Sequence, residues 1–465
     1  MPDGKIARGS AEVEQSGQRP RIGVTCAAIM LGLALLLGGG GSPAPLPELA
    51  LQVTTGLIFC WWLLRNPAGV ALVPQAAWWI VALPTALHLA QLIPLPPGVW
   101  QSLPGRSAQL AALELVQAEN SWRPLTLSPA RTLASLLCLL SALALLLIAS
   151  TLAATSRWWL IAILAIAGAV TVIIGMAQVI GAPGNPFRFF SPAQTWLTGF
   201  QANRNSTADL LLIAMLALAT VAWKLQQPGR AQLSPALIGA GLFACTMVLA
   251  LALFLTGSRT GLLLLPPVLL MQFIIVKTGR CVGLVRPAAV TAIIAAVVAG
   301  ALTLLRDNRM IGAVLARFTL DGEFRPELWR DSLFALDQTW PAGSGQGTFV
   351  PVMIAAERLE VIDTTLPNRA HNDFLELAIE GGLPALFAFA AIAAILTRAA
   401  WHCLHERDPC VRVQARFAAS TLCVLMLHSL VDYPLRSMAL AAVAAIAAGI
   451  LFPAKAKGGG RPGSR

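Results

Sequence analysis

Five short polar clusters interrupt a chain that is otherwise mostly apolar. Asn203-Arg204-Asn205 opens one apolar run, with Asp209 about one turn inside it. Gly257-Ser258-Arg259-Thr260-Gly261 is a tight turn between two further runs. Arg325-Pro326-Glu327-Leu328-Trp329-Arg330 is the third cluster. Asn368-Arg369-Ala370-His371-Asn372-Asp373 is the fourth; Glu376 and Glu380 follow it at i, i+4 spacing, on one helix face. His428, Asp432 and Arg436 make the fifth. Each has a plain structural use: arginines snorkel to an interface, Asn372 and Asp373 cap a helix, and His428 packs against a neighbouring helix. As a set they fit an anion site. The planar guanidinium fork matches diphosphate oxygens, and a nearby imidazole suits removal of a proton from a hydroxyl.

Those clusters sit in an unusual background. The 465 residues are 57% hydrophobic and 12% charged, with a formal net charge of +11 and a mean hydropathy of +0.71. A soluble domain carries about 45–50% apolar and roughly 25% charged residues. This balance excludes an ordinary soluble enzyme, a disordered chain and a coiled coil. The apolar runs are long and rich in Leu and Ala, and lack strand alternation, so they read as membrane-spanning helices. The expected architecture is all-α and polytopic, with about twelve spans near 22–40, 46–64, 70–93, 131–153, 158–181, 205–223, 235–256, 261–277, 287–305, 373–397, 414–433 and 435–452. The organisation is then a tail (1–21), nine spans (22–305), a large loop (306–372), three spans (373–452) and a second tail (453–465).

Charge gives the sidedness. Lys5, Arg8, Arg19 and Arg21 precede the first span, and every second loop is basic: Arg65; Arg157; Lys224 and Arg230; Lys277, Arg280 and Arg286; Arg398, Arg407, Arg412 and Arg416. The C-terminal tail adds Lys455, Lys457, Arg461 and Arg465. Only Asp3, Glu12, Glu14, Glu406 and Asp408 offset these nineteen basic residues, a net of +14 against −3 for the rest of the chain. The surplus marks the cytoplasmic side, with both termini inside, and does not call for nucleic acid. The five polar clusters then fall on the outer side. The first run is retained as an anchor, since Pro43, Pro45 and Pro47 crowd any cleavage site after it.

The outer loop 306–372 reads as short helices near 308–318, 326–338 and 350–360, with a turn at Gly343-Ser344-Gly345-Gln346-Gly347. That turn has neither a preceding strand nor a following Lys-Ser/Thr, so it supports no nucleotide fold and reads as a tight turn. Cys26, Cys60, Cys138, Cys245, Cys281, Cys403, Cys410 and Cys423 all fall in helices or cytoplasmic loops, and no disulfide framework is expected. His402, Cys403, His405 and Cys410 match no standard zinc spacing. No metal or other cofactor is expected.

The motifs resemble the O-antigen ligase and O-antigen polymerase superfamily of bacterial envelope glycan enzymes over about residues 195–436. The resemblance rests on Asn203-Arg204-Asn205-x-x-Ala208, Ser258-Arg259-x-Gly261, Arg325-x-x-x-Trp329, the stretch from Pro341 to Phe349, and Ala370-His371-Asn372-Asp373-Phe374-Leu375-Glu376 with Glu380-Gly381-Gly382 after it. It implies a GT-C-like membrane glycosyltransferase of the bacterial inner membrane, metal-independent and inverting, with a periplasmic active site. The implied donor is a glycan on undecaprenyl diphosphate. The implied acceptor is a hydroxyl of lipid A core or of another lipid-linked glycan, with membrane lipids as surroundings. On the same resemblance His371 takes the catalytic position, and Arg204, Arg259 and Arg325 the diphosphate. Asn203, Asn205, Ser258, Asn372 and Glu376 are supporting residues. Ser206 and Thr207 stand where relatives often carry an aromatic or His, and Gly382-Leu383-Pro384 runs into Ala385, which leaves ligase and polymerase both open. A polysaccharide transporter is the distant alternative. It would place ionisable residues at mid-span and show inverted repeats, and neither pattern is visible.

Overall fold

Lipid offers the backbone no hydrogen-bond partners, so apolar runs of this length close their bonds within helices. The computed structural model describes residues 22–40, 45–181, 184–191, 196–228, 233–278, 324–360 and 366–452, with the single residues Ala296, Gly300, Gly312 and Ile362. The two tails, the expected ninth span and the amphipathic piece near 308–318 lie outside the described residues or almost wholly so. The protein is an all-α polytopic membrane protein. Its helices are α1 (Ile22–Leu37), α2 (Pro45–Arg65), α3 (Gln75–Leu92), α4 (Pro97–Trp100), α5 (Ser107–Glu114), α6 (Pro129–Ser150), α7 (Ala154–Ile180), α8 (Arg204–Leu225), α9 (Pro235–Leu255), α10 (Arg259–Val276), α11 (Arg325–Thr339), α12 (Phe349–Ala356), α13 (Asp373–Leu404), α14 (Pro409–His428) and α15 (Met438–Ile450). On either side of α4 and α5, a small antiparallel pair joins Pro94–Leu95 to Arg123–Pro124.

Among the described residues, eight helices are long and apolar enough to cross a membrane: α2, α6, α7, α8, α9, α10, α13 and α14. The expectation of about twelve spans is adjusted at α1 and α15, which are shorter apolar helices, and at α3, the expected third span, which is not among the eight. α15 has 13 residues, about 20 Å of helix against a hydrocarbon core of about 30 Å. It starts late because residues 429–437 are spent on a turn and a 3-10 segment (Pro434–Arg436) that carry Asp432 and Arg436. The helix expected to start near 414 starts at Pro409. Asp408 caps it, its side chain accepting from the Cys410 N–H at 2.8 Å, and proline suits the first helical position.

α8 is the central helix, with 17 of its 22 residues buried. Small residues let its neighbours close on it: a Cβ at Gly168 of α7 would collide with Ala214, and one at Gly261 of α10 would lie 2.6 Å from the Ala208 Cβ. Basic residues of the expected cytoplasmic loops gather at one end of this bundle. Buried Arg157 donates to the carbonyls of Ile450 and Phe452, Lys224 lies 4.7 Å over the Trp158 ring, and Arg416 donates to Thr278 Oγ1 at 2.6 Å. The first turns of α8, α10 and α13 and the segment after α14 lie at the other end.

α13 is one 32-residue helix broken at Gly382, where φ is 58° and ψ −155°. Pro384 has no N–H, and the Leu383 N–H is diverted to the Pro341 carbonyl at 2.9 Å. The Ile379 and Glu380 carbonyls therefore lose their helical partners. The Gly343–Gly347 turn supplies new ones: Ser344 N–H to Ile379 O at 3.0 Å and Gly345 N–H to Glu380 O at 2.8 Å, with the Gln91 amide on Glu380 O at 3.1 Å. The turn needs glycine because φ is +79° at Gly343 and +110° at Gly345. Its role is to satisfy a helix break inside the protein, as the tight-turn reading expects.

Candidate functional site

Two short helix starts bring the arginines together. Asn203 caps α8, its side chain accepting from the Asn205 N–H at 2.8 Å, so Arg204 and Asn205 occupy the first helical positions. Ser258 caps α10 in the same way, accepting from the Gly261 N–H at 3.1 Å, and Gly257 turns the chain at φ +64°. The Ala208–Gly261 contact holds these two helix N-termini side by side. One cleft is lined by Arg204, Asn205, Gly257, Arg259, Thr260 and Arg325. Three arginines and two helix N-termini at one cleft make a strongly anion-attracting surface. Arg204 also lies 5.1 Å over the ring of Trp196.

His371 is joined to this cleft through Asp432 and Asn205. Its Nδ1 lies 3.0 Å from Asp432 Oδ1. Asn205, which lines the cleft, donates its amide to Asp432 Oδ2, and the Asn203 amide donates to the same oxygen at 3.2 Å. Burial alone works against a charged Asp432. The His371 hydrogen bond and charge, the His428 charge and the Asn205 amide outweigh it and hold the carboxyl below its ordinary range. An ionised Asp432 fixes the His371 tautomer with hydrogen on Nδ1, which leaves Nε2 as the basic nitrogen. The His371 ring is set edge-on to Phe324, centroids 5.2 Å apart, and to Tyr433 at 4.9 Å. Phe324 directly precedes Arg325, so the imidazole and the third arginine share one corner.

The His371 backbone is held in a left-handed conformation, φ 47°, rare outside glycine. Its neighbours determine it from both sides. The Ala370 N–H donates to Glu376 Oε2 at 3.0 Å, and the Ala370 carbonyl accepts from Trp329 Nε1 at 2.9 Å. Asn372 caps α13, accepting from the Phe374 and Leu375 N–H groups, both at 3.0 Å. The Asp373 N–H bonds to the Ser429 carbonyl at 3.0 Å. The Trp of the Arg325-x-x-x-Trp329 segment thus anchors the histidine segment directly.

Behind His371 lies a buried ionic cluster. Asp373, Glu376 and Glu380 face Arg436, at 3.6, 3.5 and 2.8 Å, and Glu376 also takes Arg369 at 2.9 Å. Burial opposes the Arg436 charge, but Glu376, Glu380 and Asp373 outweigh it and push its pKa further up. Glu380 Oε1 accepts the Phe349 N–H at 3.0 Å, which ties α12 to the cluster.

Of the residues singled out in the sequence, Arg204, Arg259, Arg325 and Asn205 meet at the cleft, while Asn203, Asn205 and His371 meet on Asp432. Ser258 and Asn372 are helix caps. Glu376 stands behind the histidine and does not line the cleft. Three contributions went unassigned from sequence: Asp432 as the partner of His371, Arg436 as the counter-ion of three carboxylates, and Trp196, Phe324 and Tyr433 as aromatic walls. Ionisable residues bordering apolar segments were the available signal for the first two. Among the described residues no group of three or more His, Cys, Asp and Glu side chains is arranged to hold a metal ion. At the opposite end Cys403 donates to the Leu451 carbonyl at 3.2 Å, and His405 Nδ1 meets the Trp401 carbonyl at 2.7 Å.

A bundle of apolar helices carries, at one end, an anion-attracting cleft lined by three arginines and a histidine held by a carboxylate. Residues 242–390 match the family model described as O-Antigen ligase, so this stretch of the chain is similar to that family. The matched stretch runs from α9 into α13 and includes Arg259, Arg325, His371 and Glu376; Arg204, Asp432 and Arg436 lie outside it. No curated protein matches the chain.

Proposed function

We propose that the protein is a ligase-type glycosyltransferase that works on the periplasmic face of the bacterial inner membrane. It moves a glycan from undecaprenyl diphosphate to a hydroxyl of lipid A core or of another glycan. The observation that carries this reading is the shared cleft of Arg204, Arg259 and Arg325, joined through Asn205 and Asp432 to His371. His371 Nε2 takes the proton of the acceptor hydroxyl as its oxygen attacks the anomeric carbon. The bond from that carbon to the diphosphate oxygen breaks, and undecaprenyl diphosphate leaves. A single displacement of this kind inverts the anomeric centre. Charge grows on the leaving diphosphate as the bond breaks, so fixed guanidiniums stabilise the transition state more than the ground state, with no metal required. A donor already carried on a lipid suits a site at the end of a helix bundle, where no nucleotide sugar is available.

The decisive variant is His371→Ala. It is expected to abolish transfer of a labelled glycan from undecaprenyl diphosphate while protein yield and donor binding stay unchanged. Near-normal transfer would refute the assignment of the base. Deleting the gene and separating envelope glycans on a gel distinguishes the acceptors. Loss of lipid A-linked glycan with lipid-linked polymer retained identifies a ligase, and survival of a single repeat unit identifies a polymerase.

A further inference from the structure

A second histidine–carboxylate pair lies inside the bundle and makes no contact with donor or acceptor in the chemistry above. His428 Nδ1 is 2.6 Å from Asp209 Oδ1, and both side chains are fully buried. Asp209 belongs to α8, the helix that begins with Arg204 and Asn205. His428 is the last residue of α14, and its carbonyl accepts the Asp432 N–H at 2.9 Å. The pair is also incompletely satisfied: Asp209 Oδ2 and His428 Nε2 are buried with no hydrogen-bond partner among the described residues. Two apolar side chains of similar volume would be as stable or more so, because orphaned buried polar atoms are costly. Stability alone therefore gives no reason for these two residue types.

Their placement does. The site has two halves that are each held without the pair. The clamp half, Arg204 with Arg259, is fixed by the contact of Ala208 with Gly261 and by two helix caps. The base half, His371 with its neighbours, is fixed by Trp329, Asn372, Glu376 and the Asp373–Ser429 bond. Polar links between the halves run through Asp432, reached by the Asn203 and Asn205 amides, and through Asp209–His428 one turn deeper. The geometry points to Asp209 and His428 as positioning residues that set the register of the arginine clamp against the Asp432–His371 base. This rests on the glycosyl-transfer reading above. The short directional bond fixes distance and rotation between α8 and α14 in a way that two apolar side chains do not. The acceptor hydroxyl and the donor anomeric carbon must meet in line, and a misplacement of about 1 Å costs on the order of a hundredfold in rate.

The test uses the full-length protein in phospholipid vesicles. The donor is a labelled undecaprenyl-diphosphate-linked glycan, and purified lipid A core and lipid-linked glycan are both offered as acceptors. The variants are His428→Leu, His428→Asn and the pair Asp209→Leu with His428→Leu. In His428→Leu, kcat is expected to fall about tenfold to a hundredfold, with the donor KM within about threefold of wild type. The double apolar variant is expected to regain the wild-type melting temperature in detergent but not the turnover. It also decides the question if the single variant fails to fold. His428→Asn, whose amide can donate where Nδ1 stood, is expected to recover most of the turnover. Wild-type turnover in the double variant, no recovery in His428→Asn, or a raised donor KM with unchanged kcat would each overturn the inference. His371→Ala is run alongside. If that variant retains transfer, the functional reading fails; if it is inactive while the His428 and Asp209 variants turn over normally, only the positioning role fails.

Discussion

His371 and Asp432 stand 61 positions apart in the chain, yet their side chains meet at 3.0 Å, Nδ1 to Oδ1. That contact orients the imidazole by its Nδ1 and ties it, through Asp432 and Asn205, to the cleft lined by the arginines. Replacing Asp432 by Asn keeps the shape and removes the charge. Transfer is expected to drop by about 10²- to 10⁴-fold, the usual worth of a positioned general base, with the loss in kcat. A radiolabelled transfer assay checks it.

The same carboxylate makes a pH prediction. Its pKa in the folded protein lies below the ordinary value of 3.8, so its stabilising contribution is fully present above that value. The contribution is lost as pH falls through the lower, folded value. The melting temperature of wild type should therefore exceed that of Asp432→Asn by a constant margin from neutral pH down to about pH 5, and the margin should shrink below about pH 4. Paired melts across that range test the sign.

Arg259→Lys keeps the charge and loses the fork. If the diphosphate is gripped by two parallel N–H donors, kcat/KM for the lipid-linked donor should fall about 10- to 100-fold. A variant with wild-type kcat/KM would show that charge alone suffices at this corner of the cleft.

Arg436→Gln leaves Asp373, Glu376 and Glu380 facing one another without their shared counter-ion. Removing one partner of a buried ionic cluster costs about 3–5 kcal/mol, so low yield and a strongly lowered melting temperature are expected. Adding Glu380→Gln should recover part of the loss, which denaturation in detergent will read.

Gly382→Ala tests the helix break. The new Cβ would overlap the Pro341 carbonyl oxygen, at a residue whose φ of +58° already disfavours side chains by about 1–2 kcal/mol. The variant should melt lower than wild type. Transfer should fall too, because the break carries Glu380 and its link to α12.

The helical, membrane-embedded character was legible in the apolar runs, because lipid admits few alternatives to helices. The helices around the cleft begin within two residues of where the sequence places them, since Asn203, Ser258 and Asn372 are local caps that act through their own backbone neighbours. The span count was less legible. The expected spans 414–433 and 435–452 run into residues 429–437 from both sides, and packing shows that whole segment bent into the turn that delivers Asp432 and Arg436.

By itself, then, the sequence determined the class of fold and the residue types able to bind an anion and move a proton. All of these follow from local composition and spacing. Tertiary structure decided which carboxylate holds which cation: Asp432 with His371, Asp209 with His428, and Arg436 with three acids on α13. The physical reason is that ion pairing is set by distances of a few ångströms between helices far apart in sequence. Hydrophobic patterning fixes which face of a helix is buried, but not the rotation and depth at which two buried faces meet.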